Sequence, residues 1–131
     1  MMNEPISMIM TSNLVTVAPN DSLTMVKDIF QKSRIHHLPV VDGKKLVGIV
    51  TTGDLVWLNK KFDEYADIAV KDVMTKKMAT LEPDEKIGAA AEVLLEHLFH
   101  AIPIVTNGDL VGIVTTFDIL KYEFSKEYPA K

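Results

Sequence analysis

Two stretches of this sequence place a threonine three residues ahead of an aspartate: Thr51-Thr52-Gly53-Asp54 and Thr115-Thr116-Phe117-Asp118. An ionised carboxylate makes strong hydrogen bonds and can accept two from the cis-diol of a sugar, while the threonine hydroxyl beside it can meet a further hydroxyl or a phosphate. If a helix starts here, its free N–H groups and dipole also favour an anion. The same spacing is a capping box, with Thr52 a natural N-cap, in which these side chains satisfy backbone groups and bind nothing else. Spacing alone leaves both readings open.

The histidines offer less. Adjacent His36 and His37 point to opposite faces of a strand, which makes them a poor chelating pair. His97 and His100 straddle a helix end, and with no cysteine and no acidic cluster beside them a zinc site is not expected. No Ser-His-Asp order, phosphate loop or paired acidic motif stands out, so the chain does not read as an enzyme. The net charge of −4 argues against nucleic acid, whose binding draws on a basic patch. Arg34 is the sole arginine, so any phosphate contact must lean on it, on lysines such as Lys76, Lys77 and Lys121, or on backbone N–H groups. Hydrophobic residues make up 47% and charged residues 24%, as in ordinary globular proteins. No apolar run approaches the ~20 residues that span a bilayer. Met1–Pro5 has no leader-like pattern, and a chain without cysteine suits a reducing compartment. No membrane association and a cytoplasmic location are expected.

What positions the two Thr/Asp pairs is a duplication. A shift of 64 positions brings Met74-Thr75 onto Met10-Thr11, Pro83 onto Pro19, His100 onto His36 and Pro103 onto Pro39, with no gap. It also superposes Leu110-Val111-Gly112-Ile113-Val114-Thr115-Thr116 on the identical Leu46-Val47-Gly48-Ile49-Val50-Thr51-Thr52, and Asp118 on Asp54. Each copy, 10–58 and 74–122, reads as β-α-β-β-α. Short strands are expected at Val15–Val17 and Ala79–Leu81, then a turn and cap at Pro19–Ser22 and Pro83–Glu85. Leu23, Val26, Ile29 and Phe30, and later Ile87, Ala90, Ala91, Leu94 and Leu95, recur at helical spacing. Strands at Leu38–Val41 and Ile102–Val105 lead through Asp42-Gly43 and Asn107-Gly108, both hairpin signals, to strands at Leu46–Val50 and Leu110–Val114. Second helices start near Thr52 and Thr116. The expected division is a first unit over 1–60, a solvated linker over 61–69 pinned by Phe62 and Tyr65, and a second unit over 70–131. A lone copy would bury too little apolar surface to be stable, so the copies should pack together. Gly88-Ala89-Ala90-Ala91 invites close helix packing, either between copies or at a dimer face. Exposed Trp57 and Phe117 would suit a dimer.

In this order, Leu38-Pro39-Val40-Val41-Asp42 and Gly48-Ile49-Val50-Thr51-Thr52-Gly53-Asp54-Leu55, with the lead-ins Ile9-Met10-Thr11 and Asp72-Val73-Met74-Thr75, resemble the CBS domain, and the duplication resembles a tandem CBS pair, or Bateman module, from about Ile6 to Tyr122. The resemblance implies an α+β fold of two β-α-β-β-α units packed with pseudo-two-fold symmetry. It implies a regulatory module, commonly a homodimer, that binds AMP, ADP, ATP or S-adenosylmethionine, needs no cofactor or metal, and signals to a partner protein. An interaction module with no nucleotide is the alternative. The resemblance also implies composite clefts, with the Thr/Asp pair facing ribose and the residues before the proline lining the adenine pocket. One cleft would use Thr16, Ile35 and His36 with Ile113, Thr115 and Asp118. The other would use Thr80, Phe99 and His100 with Ile49, Thr51 and Asp54. Phe99 against Ile35, and Phe117 against Gly53, make the two unequal, and one occupied cleft is favoured over two.

Overall fold

The structure, a computed structural model, describes residues 2–97 and 100–129. It is a mixed α+β chain that divides into two compact units: Val15–Met78, and Met1–Leu14 together with Ala79–Lys131.

In the unit Val15–Met78, helix α1 spans Leu23–Lys32 and strands β1 and β2 span His37–Asp42 and Lys45–Thr51. Helix α2, Thr52–Leu58, follows without a break. The α1 helix starts where Ser22 accepts a hydrogen bond from the Met25 N–H at 3.4 Å, which satisfies one of the first-turn donors. Its Leu23 and Val26 are fully buried, each stabilising the fold by roughly 1.5–3 kcal/mol. They meet Leu38, Val40 and Val50 of the hairpin, together with Val17, Tyr65 and Val70. Antiparallel β1 and β2 pair Leu38 with Val50 and Pro39 with Ile49. Proline cannot donate to a ladder, but the Pro39 carbonyl accepts from the Val17 N–H at 3.1 Å. With the Val41 N–H donating to the Val17 carbonyl at 2.9 Å, it makes of the strand expected at Val15–Val17 a single parallel bridge to Val40. The turn lies one residue later than Asp42-Gly43 suggested, since Asp42 pairs with Lys45. Gly43 takes the positive φ of 65° that the two-residue loop requires. The expected linker carries a 3-10 turn over Phe62–Asp67; Tyr65 is buried within it, whereas Phe62 stays exposed, its ring 5.3 Å from that of Tyr65 and under the Lys27 ammonium at 5.0 Å.

The other unit repeats the plan with α3 (Ile87–His97), β3 (Ala101–Thr106), β4 (Asp109–Thr115) and α4 (Thr116–Glu127). Asn107-Gly108 forms its turn with both residues at positive φ, as the sequence predicts. Leu81 makes the one bridge corresponding to that of Val17. Ile102, Ile104 and Val114 close on Ala90, Leu94 and Ile6.

These units divide the chain between Leu14 and Val15 and between Met78 and Ala79. The lead-in of each repeat is built into the unit that holds the body of the other. The Ile6 N–H donates to the Glu85 carbonyl at 2.8 Å, Ser7 to Pro83 at 2.9 Å, and the Ile87 and Gly88 N–H groups donate to the carbonyls of Glu4 and Met2 at 2.9 and 2.8 Å. The backbone of residues 2–7 thus caps α3, and Gly88 makes room for Met2. In the same way Val70 and Lys71 donate to Asp21 and Pro19, and Leu23 donates to Ile68. The paired Met-Thr motifs complete each hairpin. Thr11 bridges Ile113 and Thr75 bridges Ile49, while Met10 and Met74 lie over Gly112 and Gly48.

Candidate functional site

Both Thr/Asp pairs sit where a strand turns into a helix. The N-caps are Thr51 and Thr115, one residue earlier than the sequence suggested for the first copy, because the extended backbone of the last strand residue turns its hydroxyl onto the helix. Each hydroxyl accepts from the aspartate N–H at 3.2 Å, and each aspartate Oδ2 accepts from the threonine N–H, at 2.8 Å in the first pair and 2.9 Å in the second. Thr115 also donates its hydroxyl proton to Asp118 at 3.2 Å. The capping box is therefore real in both copies. All of these bonds to the carboxylates fall on Oδ2, so capping and a second acceptor role for the other oxygen are compatible.

Within each unit the backbone ties the segment before the proline to this turn. The Thr52 N–H donates to the His36 carbonyl at 3.1 Å, and Thr116 to His100 at 3.2 Å. Ile35 packs against the core, whereas the side chains of His36 and His100 are exposed. Thr16 is half-buried and Thr80 exposed, each just ahead of its bridge residue; Ile49 and Ile113 are buried. Phe99 lies outside the described residues. Arg34, Lys76, Lys77 and Lys121 are all exposed, and the Lys121 ammonium rests 5.4 Å from the Phe117 ring centre. Among the described residues no cluster of three His, Cys, Asp or Glu side chains could hold a metal. No helix described is long and apolar enough to cross a membrane.

The two pairs differ in their surroundings. Asp54 is half-buried, but Asp118 is only 6% exposed. Asp118 lines a groove of about 470 Å³ with Lys121 and Tyr122 of α4 and Glu4, Met8 and Ile9 of the lead-in. Across this groove the Tyr122 hydroxyl donates to Glu4 Oε1, and Lys126 Nζ approaches the same oxygen at 3.2 Å while covering the Tyr122 ring at 4.4 Å. The Tyr122 hydroxyl, followed by Lys126, holds the Glu4 carboxyl below its ordinary range. Sequence reasoning did not find these three residues. Tyr122 and Lys126 are spaced i, i+4 on one helix face, which is a visible signal, but Glu4 lies 118 positions from Tyr122 and no local pattern links them.

The comparisons agree with this plan of two copies. The CBS domain pattern matches residues 6–59 and 70–125 separately. The inosine-5′-monophosphate dehydrogenase of Korarchaeum cryptofilum is 34% identical over 85% of the chain, but the match covers only 22% of that enzyme. The chain spans less than half the length of the first curated relatives it matches. Among solved structures, CBSX2 in complex with AMP superposes with a TM-score of 0.85 at 26% identity, covering 95% of this chain and 98% of that one. The CBS domain pair of protein MJ0100, in complex with 5′-methylthioadenosine and S-adenosyl-L-methionine, gives 0.81 at 28% identity with the same coverage. Two matched repeats, each with its hairpin, capped turn and exchanged lead-in, leave one assignment: the chain belongs to the CBS domain family and holds a tandem pair of its domains.

Proposed function

We propose that this chain is a ligand-sensing regulatory module that binds an adenosine-containing ligand, AMP, ADP, ATP or S-adenosylmethionine, and passes its occupancy to a partner protein. The observation that carries the reading is the Thr/Asp pair, present in both copies with every capping bond on one carboxylate oxygen. The other oxygen can accept from a ribose hydroxyl. Relatives crystallised with AMP and with S-adenosyl-L-methionine support the choice of ligand class. The proposal includes the wall residues Thr16, Ile35 and His36 serving with Ile113, Thr115 and Asp118, and Thr80, Phe99 and His100 with Ile49, Thr51 and Asp54. It also includes a homodimer, to which the exposed Val56, Trp57, Phe117 and Leu120 contribute apolar surface. A ligand shifts such a module only through different affinities for its two states.

Calorimetric titration with AMP, ATP and S-adenosylmethionine tests the reading. Asp54→Ala or Asp118→Ala should weaken binding about tenfold or more, the loss of one or two charge-assisted hydrogen bonds. Unchanged affinity in both single variants and the double variant removes the ribose role. No binding by the native chain favours the interaction-module alternative.

A further inference from the structure

We propose that residues 2–9 form a latched strap over the Asp118 groove, and that Glu4 is the latch that keeps this aspartate shut away from solvent. The strap is anchored by backbone bonds: Ile6 and Ser7 donate to Glu85 and Pro83 in the turn before α3, and the first two N–H groups of α3, Ile87 and Gly88, donate to the Glu4 and Met2 carbonyls. Ile6, wholly buried, pins its middle. Among the described residues its crossing to α4 is made by side chains: Glu4 against the Tyr122 hydroxyl and the Lys126 ammonium. Met8 and Ile9 line the groove together with Asp118.

The first copy has the capping box without the latch. The positions equivalent to Glu4, Tyr122 and Lys126 hold Ile68, Leu58 and Phe62, none of which can form an ion pair. There the helix also stops after seven residues, at Asn59 in the left-handed conformation, whereas α4 runs twelve and carries Tyr122 and Lys126 out to the strap. Asp54 accordingly stays half-buried with the same reciprocal backbone capping bonds that Asp118 makes at 6% exposure, Asp118 adding one from the Thr115 hydroxyl. That added bond lies within the capped turn and does not cover it; the cover differs, so the latch sets when Asp118 can be reached. The strap is independent of ligand identity and stands even if the nucleotide reading fails.

Brief carbodiimide labelling of carboxyl groups in the ligand-free chain, read by mass spectrometry, tests this together with amide hydrogen exchange. In the native chain Asp118 should label at least fivefold more slowly than Asp54, its internal reference. Glu4→Ala should raise the Asp118-to-Asp54 ratio severalfold and speed exchange at Ile6, Ser7, Ile87 and Gly88 by about tenfold, leaving Leu23, Val70 and Lys71 unchanged. Tyr122→Phe, which keeps the ring under Lys126, should fall between. Asp28→Asn, in the other unit, should do nothing. Equal labelling of the two aspartates in the native chain, an unmoved ratio in Glu4→Ala and Tyr122→Phe, or faster exchange spread evenly over both units would overturn the latch. These readings need no nucleotide, so a failure of ligand binding is seen separately.

Discussion

Replacing Gly112 by alanine puts a methyl group into a space the lead-in already fills. An ideal Cβ there lies 2.6 Å from Met10 Sδ, 3.0 Å from its Cγ and 3.2 Å from the Thr11 carbonyl oxygen. The Gly112 backbone is in an ordinary conformation for an L-residue, so alanine gains about 0.4–1 kcal/mol by restricting the unfolded chain. Against this stands overpacking, which costs about 1–3 kcal/mol. The methionine side chain can swing away, but the carbonyl cannot retreat, because Thr11 and Ile113 exchange both backbone hydrogen bonds at 2.9 Å. The expected net loss is about 1–2 kcal/mol, or a fall in Tm of roughly 3–8 °C for a chain of this size. Met10→Ala alone should cost a similar amount by leaving a gap. Combined, the two should cost less than their sum by about 0.5–2 kcal/mol, since the clash disappears with the side chain. Urea unfolding of the four proteins measures the cycle. A Gly112→Ala protein within about 0.5 kcal/mol of the native one, or strict additivity, would refute the contact.

Ile6→Ala should cost about 2–4 kcal/mol in urea unfolding, as a fully buried isoleucine replaced by a cavity, and hydrogen exchange should show the loss in residues 79–129 rather than in the first repeat. Thr115→Ala should cost about 1 kcal/mol by removing an N-cap, with Thr115→Ser restoring most of it. Acid should loosen the strap. Glu4 titrates lower in the folded chain than when unfolded, so its contribution is fully present above about pH 4.5 and is lost as the pH falls through the lower folded value. Exchange at Ile6 and Ser7 relative to Leu23 should rise in that window, and Glu4→Gln should remove the extra rise.

The elements that local pattern dictates were readable from the chain. The hairpins follow from Asn107-Gly108 and Gly43 between apolar runs, and the helix starts follow from Thr51 and Thr115. The duplication supplied the order of the elements. Contacts set by chain segments far apart were not readable. Nothing near Ile6 announces that it fills the core beside Ile102 and Val114, and nothing in Gly112 announces Met10. Phe62 and Tyr65 looked alike as anchors, yet the 3-10 turn aims only the second inward. At the site, the Thr/Asp spacing was legible but the contrast in cover was not, because it depends on Glu4 rather than on the capped turn itself.

The exchanged lead-ins make Val15–Met78 one continuous stretch inserted into a host whose pieces, Met1–Leu14 and Ala79–Lys131, come from either side of it. On a ribosome adding about 5–20 residues per second, the inserted unit is complete while the host's first piece still waits seconds for its partner. Ile6 is exposed through that interval, and the host can close only once its last helix has emerged. The delay adds little entropic cost, since closing a longer loop grows only logarithmically with its length. It does make the order of emergence directional: the middle of the chain is complete first, and its two flanks can join only afterwards.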